Sequence, residues 1–152
     1  MSMVDISSKP KVFREATAQG TIKLKASTVK LIERQKIAKG DPMYAAKLAG
    51  IRAAKETSAL IPLCHPLPLT NVSVEIAILG KSGLQVTATV KTKAQTGVEM
   101  EALVAASVGL LTIWDMVKQY EKDEEGQYPS TAIENIHVVK KVKEDGRKKT
   151  AK

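Results

Sequence analysis

Asp115 and Lys118 stand three residues apart in a stretch of helical periodicity, so their side chains share one face. A carboxylate beside an ammonium can move protons as a general base and acid, or can form a weak, solvated ion pair. Here the two charges sit beside Trp114 and Val117, in a helix otherwise apolar from Ala102 to Ile113. Charges in that setting border a site or a subunit contact. Glu99 and Glu101 occupy the first turn of the same helix. Each has an ordinary structural role there, Glu99 as the capping-box partner of Thr96 and Glu101 as an acid compensating the helix dipole. From Glu101 to Asp115 the helix rises about 21 Å. One chain therefore cannot bring both to a single small substrate; if both act, a neighbouring subunit supplies one of them.

The other candidates lie in loops. Leu60-Ile61-Pro62-Leu63-Cys64-His65-Pro66-Leu67-Pro68-Leu69 holds the only cysteine and one of two histidines. No helix can run through it, because Pro66 and Pro68 lack backbone donors and Pro66 pushes His65 toward an extended conformation. The segment holds an imidazole on a stiff, dry connection between two regular elements. The plain alternative is a packed histidine donating to a carbonyl. Lys39, in the corner Lys39-Gly40-Asp41-Pro42, could meet an anionic substrate; taken alone it reads as a helix C-terminal lysine facing the dipole.

These side chains need a scaffold. Alternation predicts a strand from Val12 to Leu24, with a bulge or bend at Gly20. Ser27 or Thr28 is expected to cap a short helix carrying Val29, Leu31, Ile32 and Ile37. Gly40 suits a helix C′ position, Asp41 an N-cap and Pro42 the first turn of a second helix reaching about Ala59. Within that helix Gly50 implies close approach of another backbone. Asn71–Leu79 and Leu84–Thr92 read as strands joined by the hairpin Gly80-Lys81-Ser82-Gly83. Thr96-Gly97-Val98-Glu99 reads as a capping box opening the longest helix, Val98 to about Tyr120. Its small residues Ala102, Ala105, Ala106, Ser107 and Gly109 would let it pack closely within the subunit or across a dimer. A last strand runs from Ile133 to Val142. The order β-α-β-β-α-β predicts an α+β, ferredoxin-like fold, an antiparallel sheet with helices on one face.

Composition narrows the partners. At 152 residues, with 43% hydrophobic and 26% charged residues, the chain reads as one soluble domain, with residues 1–10 as an irregular arm. No apolar run reads as long enough to span a bilayer, no signal-peptide pattern opens the chain, and a cytoplasmic location follows. One cysteine excludes a disulfide framework and a multi-cysteine zinc site. No Walker A loop, G-x-G-x-x-G, G-x-S-x-G or metal-ligand spacing is present, so separate lysines and arginines must hold any phosphate. The net charge of +8 points to an anionic partner. Much of the excess lies in Lys140, Lys141, Lys143, Arg147, Lys148, Lys149 and Lys152. A basic tail over about 144–152 reads as solvated. An RNA-binding ferredoxin-like module is the alternative from another class. An aromatic content of 3%, with Phe13 alone in a predicted strand, argues against it.

Five segments together carry a family resemblance: Lys39-Gly40-Asp41; Ala49-Gly50-Ile51 with Ala53-Ala54-Lys55; Leu60–Leu67; Gly97-Val98-Glu99-Met100-Glu101-Ala102-Leu103; and Thr112-Ile113-Trp114-Asp115-Met116-Val117-Lys118. In this order and spacing, with Met3-Val4-Asp5-Ile6 and Arg14-Glu15-Ala16, they resemble the MoaC family of cyclic pyranopterin monophosphate synthases over residues 3 to 143. The resemblance implies a ferredoxin-like subunit in a homohexamer of three dimers, with active sites at the dimer interface. It implies a phosphorus–oxygen lyase of molybdenum cofactor biosynthesis, converting 3′,8-cyclo-7,8-dihydro-GTP to cyclic pyranopterin monophosphate with release of diphosphate. Carried over residue by residue, it makes Lys39, Asp115 and Lys118 catalytic. Leu63, Cys64, His65, Glu99, Met100 and Glu101 become substrate contacts, and Arg14 a phosphate contact.

Asp115 and Lys118 then form the central acid–base pair, with Lys118 tuned toward neutral pH beside an apolar wall. His65 orients substrate or relays a proton, and the glutamates grip the purine edge or order the lysines. The chain departs from the family at its end. Val139-Lys140-Lys141-Val142-Lys143-Glu144-Asp145-Gly146 stands where many members have Gly-Gly-Lys-Ser-Gly. Lys141 or Lys143 replaces that lysine, and the sequence does not choose. No metal site or cofactor is required by the sequence, and Mg²⁺ accompanying the triphosphate is left open. A catalytically dead assembly subunit is disfavoured, because every mapped position outside the tail is intact.

Overall fold

The computed structural model describes residues 1–144. In chain order the elements are β1 (Val12–Lys23), α1 (Ala26–Glu33), α2 (Pro42–Lys55), α3 (Thr57–Leu60), β2 (Leu69–Ile78), β3 (Gly83–Ala94), α4 (Glu99–Glu121) and β4 (Ala132–Glu144). The strands form one antiparallel sheet in the order β2-β3-β1-β4. The helices α2 and α4 cover one face, as a ferredoxin-like α+β arrangement requires. Alternation drives this: Ala16, Ala18 and Ile22 of β1 and Leu84, Val86, Ala88 and Val90 of β3 turn inward onto Ala102, Ala105, Ala106, Leu110, Ile113 and Val117 of α4. The other face is polar, with the Thr17 and Thr89 hydroxyls bonded at 2.9 Å and Gln19 donating to Thr87.

Close packing of the helices depends on small residues. A Cβ on Gly50 would lie 2.9 Å from the Ala105 carbonyl oxygen and 3.1 Å from Val74, so the glycine lets α2 approach α4. The small stripe of α4 is used inside the subunit: Ala102, Ala105, Ala106 and Gly109 are all buried. By length and composition α4 could cross a bilayer, contrary to the sequence reading that no apolar run is long enough. Its inner face instead forms the core beneath the sheet.

Several local readings are corrected. Lys25, not Ser27 or Thr28, stands at the start of α1 and offers no side-chain cap. Thr28 is buried within the helix, and the cap comes from a distance. The Glu121 carboxylate accepts from the Lys25 backbone N–H at 3.0 Å and from the Thr28 and Thr131 hydroxyls at 2.5 Å each. The helix stops at Glu33, so Ile37 is buried from a connecting loop and Gly40, at φ +107°, closes a turn rather than a helix. Asp41 caps α2 as read, accepting from Met43 and Tyr44. The second helix ends at Lys55 and a separate turn, α3, follows, because the Thr57 hydroxyl takes the Ala53 and Ala54 carbonyls. The capping box is not formed. Val98 starts α4 without a side-chain cap, and Glu99 pairs with Lys141 instead.

At the sheet edge, β4 is longer than read and includes Lys140, Lys141 and Lys143. The register irregularities opposite Thr17–Ala18 and Gln19–Thr21 place the extra residues in β4, where Asn135 has φ +55°. Gly20 keeps regular pairing with Val86 on its other side. It makes room for Leu110 and Ile136, whose atoms would lie 2.6 and 2.9 Å from a Cβ there. The basic tail beyond Glu144 lies outside the described residues.

Candidate active site

The proline loop, the start of α4 and the N-terminal arm enclose a cleft of about 340 Å³. Leu63, Cys64 and His65 enter from the loop; Glu99, Met100 and Glu101 enter from the first helical turn. The arm closes the third side with Val4, Ile6 and Lys9, and turns within itself through the Lys9 N–H donating to the Ile6 carbonyl. The six residues assigned from the resemblance to substrate contact thus line one cavity. Lys9, Thr96 and Gly97 also line it; the sequence reading gives Thr96 and Gly97 a capping role only and does not single out Lys9. The arm is irregular chain, as the sequence predicts, and its Val4 and Ile6 bring apolar side chains to the cleft.

The two glutamates are driven in opposite directions. Glu101 is only 4% exposed, and burial pushes its pKa above the usual carboxylate value, with the charge of Glu99 adding to the effect. Burial also opposes ionisation of Glu99. The hydrogen bond and charge of Lys141, with help from the backbone N–H of Glu99 and from Arg14, outweigh it and lower the pKa. One cleft therefore holds a carboxylate fixed in its charged form and a neighbour biased toward the acid, the division of labour that acid–base chemistry uses. Burial raises the Cys64 thiol, and Glu101 adds to the shift, the opposite of what activates a nucleophile.

Cations gather at the edge of the cleft. Lys141 ion-pairs with Glu99, while Lys143 lies opposite Arg14 in the β1–β4 register. The Arg14 guanidinium donates to the Ala94 and Gln95 carbonyls at 3.3 and 3.2 Å.

Lys39, Asp115 and Lys118 form a second group at the far end of α4. Asp115 Oδ1 meets Lys118 Nζ at 2.9 Å, Oδ2 meets Lys39 Nζ at 2.9 Å, and Lys39 also donates to the Asp115 carbonyl. The hydrogen bonds from Lys118 and then Lys39 take the Asp115 pKa down to about 2. The same bond to Asp115 raises Lys118. This corrects the reading of Lys118 as tuned toward neutral pH: the lysine is half-exposed and faces a carboxylate rather than an apolar wall. Beside it, the ring of Trp114 packs on Tyr128 with centroids 5.3 Å apart. Among the described residues no three His, Cys, Asp or Glu side chains converge to hold a metal ion.

The two groups lie at opposite ends of one helix, so the structure does not bring all the predicted site residues together in a single chain. Comparison with known proteins agrees with the motif reading. A family model described as "MoaC family" matches residues 3–144. A Sulfolobus acidocaldarius protein named "Probable cyclic pyranopterin monophosphate synthase" is 58% identical over 144 residues, covering 95% of this chain and 100% of the relative. Proteins of the same name from Saccharolobus solfataricus and Pyrococcus horikoshii are 58% and 55% identical, covering 93% and 94% of this chain and 95% and 89% of their own lengths. With the match running through the arm, the proline loop, both ends of α4 and β4, the chain belongs to the MoaC family.

Proposed function

We propose that the protein is a cyclic pyranopterin monophosphate synthase, acting in the cytoplasm on 3′,8-cyclo-7,8-dihydro-GTP. The observation that carries the reading is the division of the site along α4. The cleft with its unlike glutamates sits at one end, and the Lys39–Asp115–Lys118 group lies about 21 Å away at the other. That separation supports an active site at a dimer interface, where a two-fold-related chain would supply the missing half; the hexamer of three dimers follows from the family resemblance. The names of the relatives agree with the reaction.

In this reading the cleft takes the purine-derived ring system, with Glu99 gripping its polar edge and Glu101 exchanging a proton during ring rearrangement. The partner chain brings Asp115 and Lys118 to the reacting centre as base and acid. A substrate hydroxyl then attacks the α-phosphorus, its proton passes to the base, and the bond from Pα to the bridging oxygen breaks. The electron pair leaves with diphosphate. Arg14, Lys39 and Lys141 stabilise the departing charge. Lys141 takes the place of the family's glycine-segment lysine, because its ammonium reaches the cleft carboxylate. Any Mg²⁺ arrives with the triphosphate as part of the substrate.

The test is incubation with 3′,8-cyclo-7,8-dihydro-GTP while following diphosphate and pterin product together. Both are expected from the wild type, and Lys118→Ala is expected to lose at least about 100-fold in turnover. Near-wild-type turnover by an assembled Lys118→Ala protein would sink the assignment.

A further inference from the structure

His65 stands in the wall between two cavities. Beyond it, between the proline loop and the ends of β1 and β3, lies a second space of about 340 Å³, bounded by Lys11, Lys93 and Gln95 with Pro66 and Pro68. The two cavities differ in charge. The first contains both glutamates beside Lys9, with Lys141 paired to Glu99, whereas the second has two lysines and an imidazole in its wall and no carboxylate. Among the described residues neither Lys11 nor Lys93 has an ion-pair partner. The nearest β1 acid, Glu15, is already taken by Lys91 and Lys140 at 3.6 and 3.4 Å. Asp5, on the arm, accepts from the Ser7 backbone.

A third cation supports this space from behind. Ala94 and Gln95 line the second cavity, and their carbonyls are the two that Arg14 binds. Two lysines and one histidine therefore face a volume ample for two phosphate groups, with the Arg14 charge behind its backbone wall. Lysines hold phosphate as point charges without demanding one geometry, which suits an anion that must leave again. Phosphate groups in the first cavity would meet the Glu99 carboxylate, whereas the second offers them cations with no carboxylate in its wall.

We infer that this second cavity binds a diphosphate group through Lys11, Lys93 and the face of His65 turned toward them. Its assignment as the path of the leaving group rests on the function proposed above. The anion could be the tail of the bound triphosphate or free diphosphate after release, and the two make separable predictions.

Inorganic diphosphate titrated calorimetrically into the full chain in metal-free buffer is expected to bind the wild type. The Lys11→Ala/Lys93→Ala double variant is expected to bind at least about tenfold more weakly, with an unchanged thermal melt. In the turnover assay the same variant should keep kcat and show diphosphate inhibition weakened by a similar factor. A parallel rise in KM would identify the cavity as holding the substrate's tail; an unchanged KM would identify it as holding released product. Equal diphosphate affinity in variant and wild type, or no binding by the wild type, overturns the proposal. Binding that depends on the two lysines in a protein without turnover would leave this site standing and remove the assigned reaction instead.

Discussion

At the residue scale, two carboxylates two positions apart come to differ because only one meets a cation. Lys141 holds Glu99 ionised, whereas Glu101 is buried beside that negative charge. A carboxyl whose folded pKa lies above its unfolded value of 4.5 is stabilising when protonated, and its contribution is lost as pH rises through the folded value. Glu101→Gln removes that loss. The variant is predicted to melt a few degrees above wild type at pH 8, on the order of 1 kcal/mol, while turnover falls sharply. Equal melting temperatures at pH 8 would refute this account of Glu101. Asp115 follows the opposite sign. With its pKa near 2, its pairing with Lys118 and Lys39 persists above the ordinary carboxylate range and is lost as pH falls toward 2.

At the scale of elements, α4 serves as core, spacer and tie. Its inner stripe accepts α2 only because Gly50 has no side chain. In Gly50→Ala the new Cβ meets a backbone oxygen that cannot swing aside, so a loss of about 1–3 kcal/mol is predicted from urea unfolding. At the other end, Glu121 joins α4 to the start of α1 and to Thr131, just ahead of β4. Glu121→Ala leaves a backbone donor and two buried hydroxyls without their acceptor, and a loss of about 3 kcal/mol is predicted. A change under 0.5 kcal/mol would mean that water replaces the carboxylate. The close approach at Gly50 is legible in the local sequence, as read there, but its partner is not, and nothing local shows what Glu121 holds. Glycine in a helix and glutamate at a helix end each have commonplace explanations, and the partners lie about 55 and 96 residues away (105 − 50 and 121 − 25).

At the scale of the whole molecule, the separated half-sites make a prediction that no single-chain mechanism shares. Glu101→Gln and Lys118→Ala are each expected to be inactive. Mixed and reassembled at equal concentration, they should recover about a quarter of wild-type turnover, since half the dimers are mixed and each mixed dimer carries one intact site. No recovery from demonstrably mixed oligomers would place both groups in one chain's catalysis and overturn the shared site. On the helix side Tyr44, Leu48 and Leu111 are more than half exposed.

The sequence by itself determined the order of elements, the strand alternation, the Asp41 cap, the Gly80–Gly83 hairpin and the family motifs. Each depends on neighbours within a few residues or on a fixed period. It also located both groups of chemical residues and, through the rise of a helix, their separation. Only the tertiary structure decided that Glu99 answers Lys141 rather than Thr96, and that Glu121 caps a helix near the opposite end of the chain. It alone showed that Lys118 is held charged by Asp115 and that Lys9 reaches the cleft. Each of these is an electrostatic or hydrogen-bonded contact between distant segments. Its partner is chosen by how the sheet and helices pack, which local residue patterns do not encode.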